Sequence, residues 1–543
     1  MTTEVEPILL EHIPLDQNDE GLVCSSRVRK FSDDGTFMSM DALGPFVDAQ
    51  SASWDTIESM VAPYGPALMD KFFENVHPVF PVLVESSFRS SCRTRQNVTP
   101  VLLASVYVLG SRFLDYELGP DKRPDVRRLE MTALKLLSES LPFPSMSTVQ
   151  AGLILMQKST LNTSALNTQL IAAGFELGLH QDCSNWKMAD WEKGLRKRLA
   201  WALYMQDKWS SLVHGRPSYI FLSNWTVRDL VEQDFVDAFD TTAQQDEDDD
   251  VVAHGPLLFC HMVALTTILS DILDRFYTLQ AIESFKAAGN NRTRLILEKA
   301  KPAQIRLKEW FSTIPAELKM GASASSELYD TTTRETARNG MLHLAYFAAE
   351  ITLHRCIIRS LSPETTDSYL SHVCRSAAKT RLISAMDFVN RLRPMHLRSF
   401  WPSAARTNFA LIGSFGMLLR ITAPTREEAE FYRVRLCEYR WTLSVSKKDA
   451  AFMEFALESL DNATTLDEQH VPEKPGIEEL MSNPKPNQHQ HQQQHAYRFR
   501  GPTSLNETML STGTPHVISG LVSPATSISE EIHQDDTISA ETE

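Results

Sequence analysis

Apolar residues recur at every fourth position over long stretches of the chain, between residue 54 and about residue 460. Residues four apart share one face of an α-helix, so each such series predicts an amphipathic helix. Two series show the spacing clearly: Leu129, Ala133, Leu137 and Leu141, and then Trp191, Leu195, Leu199 and Leu203. Further apolar segments predict helices over residues 257–277, 295–314, 341–360, 377–392 and 409–419.

Signals for the ends of helices support this pattern, and signals for strands are sparse. Pro142 ends the helix that contains Leu129, and Ser147 and Thr148 offer N-cap oxygens for the next one. Residues 219–227 form the one persuasive extended stretch. Strands do not alternate with helices as in an α/β sheet, so we predict an all-α, multi-helical fold.

Composition divides the chain into three parts. Residues 1–50 have few periodic apolar positions and predict a mostly disordered linker, with one docking segment around residues 31–38. Residues 51–465 form the predicted helical body, interrupted by an acidic loop, QQDEDDD, at 244–250. Residues 466–543 form a tail that is rich in Gln and His around 488–495, and it has seven acids and no Lys or Arg after residue 504. Such a tail buries too little apolar surface to offset its ordering entropy, so we predict disorder.

The charge balance argues against direct nucleic-acid binding. The formal net charge is −16, which repels the phosphate backbone unless basic residues are concentrated in one place. The strongest local concentration is short, and it consists of Lys193, Arg196, Lys197 and Arg198.

The cysteines and the N-terminus point to a reducing, intracellular setting. Seven cysteines are widely spaced and odd in number, which argues against a disulfide framework. The first fourteen residues lack the basic start and apolar run of a signal peptide. No apolar run reaches the roughly 18 residues needed to span a bilayer, so no membrane contact is expected.

Catalytic and cofactor motifs are absent from the sequence. There is no G-x-G-x-x-G, Walker loop, H-E-x-x-H, G-x-S-x-G or C-x-x-C. His180 with Asp182, and His214 with Asp207, are better explained as polar residues at helix ends than as acid–base pairs. The histidines at 489–495 favour a low-complexity tract over a metal site. We therefore predict no catalytic, cofactor-binding or metal-binding residues.

Aromatic residues are concentrated in one part of the helical body. Five of the nine tryptophans lie between residues 186 and 225. Trp201 and Trp209 stand at helical spacing among apolar neighbours, which favours packing in the core. A ligand pocket lined by these rings is the alternative, and it belongs to a helical small-molecule-binding protein or enzyme.

Two segments resemble the fungal-specific transcription factor domain, or middle homology region, of zinc-cluster transcription regulators. Residues 72–88 read FFENVHPVFPVLVESSF and look like its opening. Residues 170–220 are similar to its most characteristic stretch, where an LGLH helix end precedes W-E-x-x-x-R-R-R, an aromatic helix and a G-R-P-S turn. The positions that carry these two motifs are His77, Pro78, Phe80, Pro81, Trp191, Glu192, Arg196, Arg198, Trp201, Asp207, Gly215, Arg216 and Pro217.

Later segments agree with the resemblance, which covers roughly residues 54 to 460. Residues 307–318 match an L-x-x-W-x-x-x-(I/L)-P-x-x-L pattern. Residues 397–419 resemble the nitrogen- and GABA-pathway co-activators within the family.

The resemblance implies an all-α regulatory domain in a nuclear regulator of RNA polymerase II transcription. It implies other zinc-cluster regulators or coactivators as partners, in a homodimer or heterodimer, with DNA reached indirectly. In this setting residues 193–198 are expected to form a solvated basic face. Asp207 and Arg216 are expected to join the helix to its turn by a charge-assisted bond.

Family members typically carry six cysteines that hold two zinc ions beside a DNA-reading segment. Here Cys24 is followed by no second cysteine before Cys92, so the zinc ligands are missing and no cofactor is expected in this chain. Either the coding sequence as read begins after the cluster, or the protein is a cluster-less co-regulator that acts through a partner.

Overall fold

A computed structural model describes residues 9, 12–17, 19–23, 26–32, 37–39, 47–95, 98–114, 124–158, 164–236, 254–320, 331–364, 366–448, 450–470 and 474–482. Almost all of the regular structure in these ranges is helical, which confirms the all-α prediction. The helices are α1 Val47–Val61, α2 Gly65–Asn75, α3 Glu85–Thr94, α4 Pro100–Gly110, α5 Val126–Ser140, α6 Met146–Met156, α7 Ser164–Glu176, α8 Asp190–His214, α9 His254–Phe276, α10 Leu279–Ala287, α11 Arg292–Ser312, α12 Thr331–Arg338, α13 Gly340–Ser360, α14 Ser368–Asn390, α15 Pro394–Arg398, α16 Ala405–Thr422, α17 Arg426–Ser446, α18 Glu454–His470 and α19 Ile477–Ser482.

A small antiparallel sheet precedes the helices. Its strands are β1 Glu20–Val23, β2 Ser26–Lys30 and β3 Phe37–Ser39, in the order β1-β2-β3. Just after β2, the ring of Phe31 lies 5.5 Å from that of Trp186, and the carbonyl oxygen of Phe31 accepts a hydrogen bond from the amide of Lys187 at 2.6 Å. These strands lie inside the segment that the composition assigns to a mostly disordered linker.

Local capping sets the helix boundaries. The helix predicted to be capped by Ser147 or Thr148 is capped by Ser145 and begins at Met146, because the Ser145 side chain accepts from the amide of Thr148 while the Thr148 hydroxyl accepts from the amide of Ser145. This reciprocal pair satisfies two amides that the first turn leaves without intrahelical partners.

One continuous apolar core runs through the body, from Trp54 to Leu460. In the first half, α4 is buried on every side among α2, α5 and α6. In the second half, α16 packs between α13, α17 and α18. Helix α8 contacts α6 and α7 in the first half of the body and α9 in the second half, so it joins the two halves. The helices packed around α8 therefore determine which of its polar side chains are buried and which groups they contact.

Among the described residues, α9 is the one helix long and apolar enough to cross a bilayer by length and composition. Of its most apolar 18-residue window, 61% is buried inside the body, as expected for a core helix.

Three sequence predictions concern segments that are irregular or undescribed. Residues 219–227 form no strand; they run extended around a short 3-10 turn, Leu222–Asn224. The acidic loop 244–250 and the tail beyond residue 482 lie outside the described residues, and the domain boundaries stay predictions.

Candidate functional site

The segment with the sequence HPVFPVL, residues 77–83, is largely buried but irregular, so the carbonyl groups that its own turns leave unpaired need hydrogen-bond donors from side chains. Three side chains supply them, one from the segment itself and two from helices packed against it. His77 Nε2 lies 3.0 Å from the carbonyl oxygen of Leu83, and Gln150 Nε2 donates to the carbonyl oxygen of Val82 at 2.9 Å. Arg198 Nη1 donates to the carbonyl oxygens of Pro81 at 3.1 Å and Leu83 at 3.4 Å. Phe80 fills the core beneath this segment.

The basic turn of α8 is internal rather than solvated, which corrects the expectation from its sequence. Arg198 is only 2% exposed. The guanidinium carbon of Arg196 lies 4.8 Å from the centre of the Trp186 ring, and Arg196 also donates to the carbonyl oxygen of Leu177. Burial lowers the pKa of Arg196 below its usual value. The periodicity places Lys193, Arg196 and Lys197 opposite the apolar face, but α8 is covered on that side as well.

Lys197 is also largely buried, and the first turn of α8 is half-buried. Lys197 Nζ pairs with a carboxylate oxygen of Asp234 at 3.1 Å, with both side chains largely buried. Trp191 and Glu192 lie half-buried in the first turn, where the negative charge of Glu192 suits the amino end of the helix dipole. Three of the four residues in the strongest basic cluster, Arg196, Lys197 and Arg198, are therefore used to hold α8 inside the fold.

Asp207 anchors the turn that follows α8. Its carboxylate, 1% exposed, accepts hydrogen bonds from Ser218 Oγ at 2.6 Å and from the amides of Tyr219 and Ile220 at 3.1 and 3.0 Å. Lys208 Nζ lies 3.5 Å away and donates to the carbonyl oxygen of Ile220 at 2.5 Å. Burial lowers the pKa of Lys208, and the adjacent Asp207 carboxylate opposes that shift.

The predicted bond from Asp207 to Arg216 is wrong. Arg216 and Pro217 are exposed in the turn, and Asp207 instead accepts from backbone amides three and four positions beyond Arg216. Gly215 ends α8 with a φ of 61°, a conformation that favours glycine, and its amide donates to the carbonyl oxygen of Ser211.

The tryptophans are mainly part of the core. Trp201 is 3% exposed and makes edge contacts with Tyr204 and Trp225, at ring distances of 5.3 and 6.0 Å. Its indole Nε1 donates to the carbonyl oxygen of Arg228 at 2.9 Å. A buried indole N–H with a partner is typical of structural packing, so Trp201 belongs to the framework.

Trp209 instead lines a large cavity between the two halves of the body. The cavity has a volume of about 1340 Å³, is partly open to solvent, and is lined by parts of α7, α8, α9, α13 and α16. Gln157 spans the halves, because its Nε2 donates to Gln206 Oε1 at 3.0 Å while its Oε1 accepts from the amide of Ser403 at 3.3 Å. No pattern in the sequence predicts this contact, because its three residues come from distant segments.

The described cysteines do not fit a zinc cluster. No group of three or more His, Cys, Asp or Glu side chains in the described ranges is placed to hold a metal ion. Burial also raises the pKa of the thiols, to about 12 at Cys92 and to about 11 at Cys260 and Cys374, which opposes the thiolate form that zinc requires.

The buried segment and the helix described above both lie in a part of the chain that matches a known protein family. Residues 69–312, which include the HPVFPVL segment and all of α8, match the family described as the fungal specific transcription factor domain. The helical body therefore contains this domain, the middle homology region of fungal transcription regulators.

The relatives that the chain matches include a transcriptional activator and regulatory proteins. The chain is 34% identical over 480 residues to the Transcriptional activator protein DAL81 of Saccharomyces cerevisiae, covering 81% of this chain and 48% of that protein. It is 27% identical over 238 residues to an uncharacterized transcriptional regulatory protein of Schizosaccharomyces pombe, covering 42% of this chain and 34% of that protein. With the Acetamidase regulatory protein of Aspergillus fumigatus it shares 24% identity over 381 residues, covering 66% of this chain and 44% of the relative. The chain spans about half the length of these relatives or less. No solved structure matches it.

Proposed function

We propose that the chain is a nuclear regulator of RNA polymerase II transcription that reaches DNA only through a separate DNA-binding element. That element is either a zinc cluster elsewhere in the protein or a partner that carries one. The matched domain and the activators and regulators among the relatives support the regulatory class over the enzyme alternative.

The proposal that a separate element brings the chain to DNA rests on the burial of the basic residues in α8. Affinity for duplex DNA comes largely from Lys and Arg side chains that neutralise phosphates and release counterions. In this chain Arg196, Lys197 and Arg198 bind a tryptophan ring, a buried aspartate and backbone carbonyls. They are therefore withdrawn from phosphate contact, in a chain whose net charge is already −16.

A chain that is brought to DNA by a separate element needs protein partners. Other zinc-cluster regulators or coactivators would bring the body to promoters, as a homodimer or a heterodimer. The acidic segment 504–543 contains the apolar residues Ile518, Leu521, Val522 and Ile528, which suit folding onto a coactivator on contact.

A two-part experiment tests the proposal. The purified chain is titrated against promoter DNA at near-physiological salt, and the same chain is fused to an unrelated DNA-binding domain upstream of a reporter gene. We expect no sequence-specific binding in the titration. We expect the fusion to change reporter output relative to the DNA-binding domain alone, and deletion of residues 504–543 to reduce that change.

The two parts fail in different ways. Sequence-specific binding by the chain alone would refute recruitment through a separate element. A fusion that is expressed at normal levels but leaves the reporter unchanged would count against the regulatory function itself.

A further inference from the structure

Three arginines from two helices lie close together at one end of the second half of the body. Arg355 and Arg359 lie near the carboxyl end of α13, and Arg292 is the first residue of α11. The two helix ends are joined directly, because Thr293 Oγ1 donates to the carbonyl oxygen of Ser360 at 2.8 Å. All three arginine side chains are partly exposed, so a ligand can reach them from solvent.

Two of these arginines lack partners among the described residues. The Nε atoms of Arg292 and Arg355 are buried, and neither has a hydrogen-bond acceptor there. Neither side chain forms an ion pair with a described residue, whereas the partly buried Arg381 and Arg420 each pair with a carboxylate. A guanidinium group carries five donors and a permanent charge, so burying part of it without an acceptor costs free energy. An unsatisfied group of this kind in a native structure calls for an explanation such as a bound ion.

The groups around Arg355 do not neutralise its charge. Burial lowers the pKa of Arg355, and no described Asp or Glu opposes that shift. Burial, reinforced by the charge of Arg355, lowers the pKa of Arg359 to about 10. The nearby Cys356 thiol and Tyr277 hydroxyl stay neutral, because burial raises the pKa of both groups. An anion beside Arg355 would therefore be stabilising.

The amino end of α11 adds positive potential at the same place. A helix dipole places a partial positive charge at its amino end, where anions are favourable and basic residues are not. Yet the first turn of α11 contains Arg292 and Arg294 and no acidic residue, and the side chain of Asn291 at the N-cap makes no capping hydrogen bond. The carboxyl end of α13 suits Arg359, but it does not account for two arginines that begin a helix. Arginines beside a helix amino end are well suited to bind an oxyanion.

This place is distinct from the cavity between the two halves. The cavity touches α9 and α13 nearer their amino ends, at Phe259, Met262, Leu344 and Ala345. Helix α13 rises about 16 Å from Leu344 to Arg355, at about 1.5 Å per residue. None of the three arginines lines the cavity.

We propose that Arg292 and Arg355, with Arg359 beside them, bind a phosphate group between the amino end of α11 and the carboxyl end of α13. The planar forks of guanidinium groups match the oxygens of a phosphate group in geometry and in charge. Free inorganic phosphate and a phosphorylated serine of a protein both carry this group. The inference goes beyond the proposed regulatory function and does not depend on it, because binding is measured on the purified chain without DNA or a reporter.

Isothermal titration calorimetry of the full chain in Tris chloride tests the ligand. Inorganic phosphate should bind with a Kd below about 10 mM, and N-acetylserine amide, which has no phosphate group, should not bind. N-acetyl-O-phosphoserine amide stands for phosphate on a protein. If it binds at least about tenfold tighter than inorganic phosphate, the source is a phosphorylated protein; otherwise the source is free phosphate.

Matched variants test the location. Arg292→Gln and Arg355→Gln should each weaken inorganic phosphate at least about tenfold, as for loss of a charge-assisted hydrogen bond. Arg294→Gln is the control in the same first turn, since Arg294 is 81% exposed and pairs with Glu298 at 3.4 Å. It should change the affinity by less than about threefold, because an exposed charge is screened by solvent.

Thermal unfolding separates an anion site from a purely structural role. In chloride buffer without phosphate, Arg355→Gln should match or exceed the thermal midpoint of the parent, because it removes a charge that opposes Arg359. In about 50 mM phosphate at equal ionic strength, the midpoint of the parent should rise by at least about 1 °C and that of the variant should not, since a ligand that binds the folded state stabilises it.

Three results would each overturn the proposal. The first is a midpoint of the parent that phosphate raises no more than chloride does. The second is an Arg355→Gln variant whose midpoint falls below that of the parent by the same amount in both buffers. The third is an unchanged affinity for inorganic phosphate in both Arg292→Gln and Arg355→Gln.

Discussion

Arg198 donates a hydrogen bond from Nη1 to the carbonyl oxygen of Pro81 at 3.1 Å, across 117 positions of sequence. The two residues belong to the two most recognisable segments of the domain. Pro81 lies in an irregular buried stretch whose carbonyls have no helix or sheet partners, and Nη1 of Arg198 donates to two of these carbonyls. This contact explains physically why a basic residue and a proline-rich segment occur together in one fold.

Arg198→Met should destabilise the body strongly. The methionine preserves much of the apolar stem but leaves the carbonyl oxygens of Pro81 and Leu83 without this donor, at a cost of about 1–3 kcal/mol. The measurement is the urea midpoint of the purified chain. Arg294→Met is the control, since Arg294 is 81% exposed and should change stability by less than about 0.5 kcal/mol. Equal midpoints for the two variants would contradict the structural role of Arg198.

Helix positions were predictable from the sequence because burial imposes the period of an α-helix on the apolar residues. The segment predicted over 341–360 is α13, Gly340–Ser360, and that predicted over 257–277 is α9, His254–Phe276. Their boundaries agree within a few residues, because the periodic signal runs to the ends of both helices.

The environment of the polar residues was not predictable in the same way. The periodicity of α8 separates an apolar face from Lys193, Arg196 and Lys197, but it carries no information on what packs against the second face. Trp186, the carbonyl oxygen of Leu177 and Asp234 contact that face, and they come together there only when the chain is folded. The cavity was missed for a similar reason, since Gln157, Gln206 and Ser403 meet only in three dimensions.

Asp207→Asn should destabilise the turn after α8 and the body with it. The asparagine removes the charge that faces Lys208 and replaces one acceptor oxygen by a donor, next to amides that already donate. Leaving a buried cation uncompensated costs about 3–5 kcal/mol. The thermal midpoint should fall by several degrees, whereas Asp190→Asn at a 97% exposed position on the same helix should have little effect. A midpoint unchanged by Asp207→Asn would show that the pair is not needed for stability.

Gly255 and Gly413 make a matched pair of helical glycines. A Cβ added at Gly255 would overlap the carbonyl oxygen of Pro78, which is backbone and cannot turn aside. Gly255→Ala should therefore cost about 1–3 kcal/mol, as overpacking does. A Cβ at Gly413 would meet Leu460 at 3.5 Å, an ordinary contact, so Gly413→Ala should be neutral or stabilise the chain by up to about 1 kcal/mol. Urea midpoints of both variants decide the comparison, and a larger loss at Gly413 would contradict it.

His354 should make the body sensitive to mild acid. The side chain is buried, its Nδ1 has no partner among the described residues, and burial, reinforced by the charge of Arg381, holds its pKa well below 6.5. Above pH 6.5 the imidazole is neutral in both states and adds no pH dependence. As the pH falls below 6.5, the unfolded chain takes up a proton that the folded chain does not, so stability declines by up to about 1.4 kcal/mol per pH unit until the folded pKa is reached.

His354→Leu should remove this part of the acid sensitivity. At pH 7.5 the variant should be close to the parent in stability, because an apolar group replaces a neutral ring with an unmet polar atom. At pH 5.5 it should be more stable than the parent by about 1 kcal/mol, measured as the difference between urea unfolding free energies at the two pH values. His372→Leu, at an exposed position on α14, keeps His354 in place and should retain the parent's slope. If His354→Leu and the parent lose stability in parallel between pH 7.5 and 5.5, then His354 is protonated at little cost in the folded state.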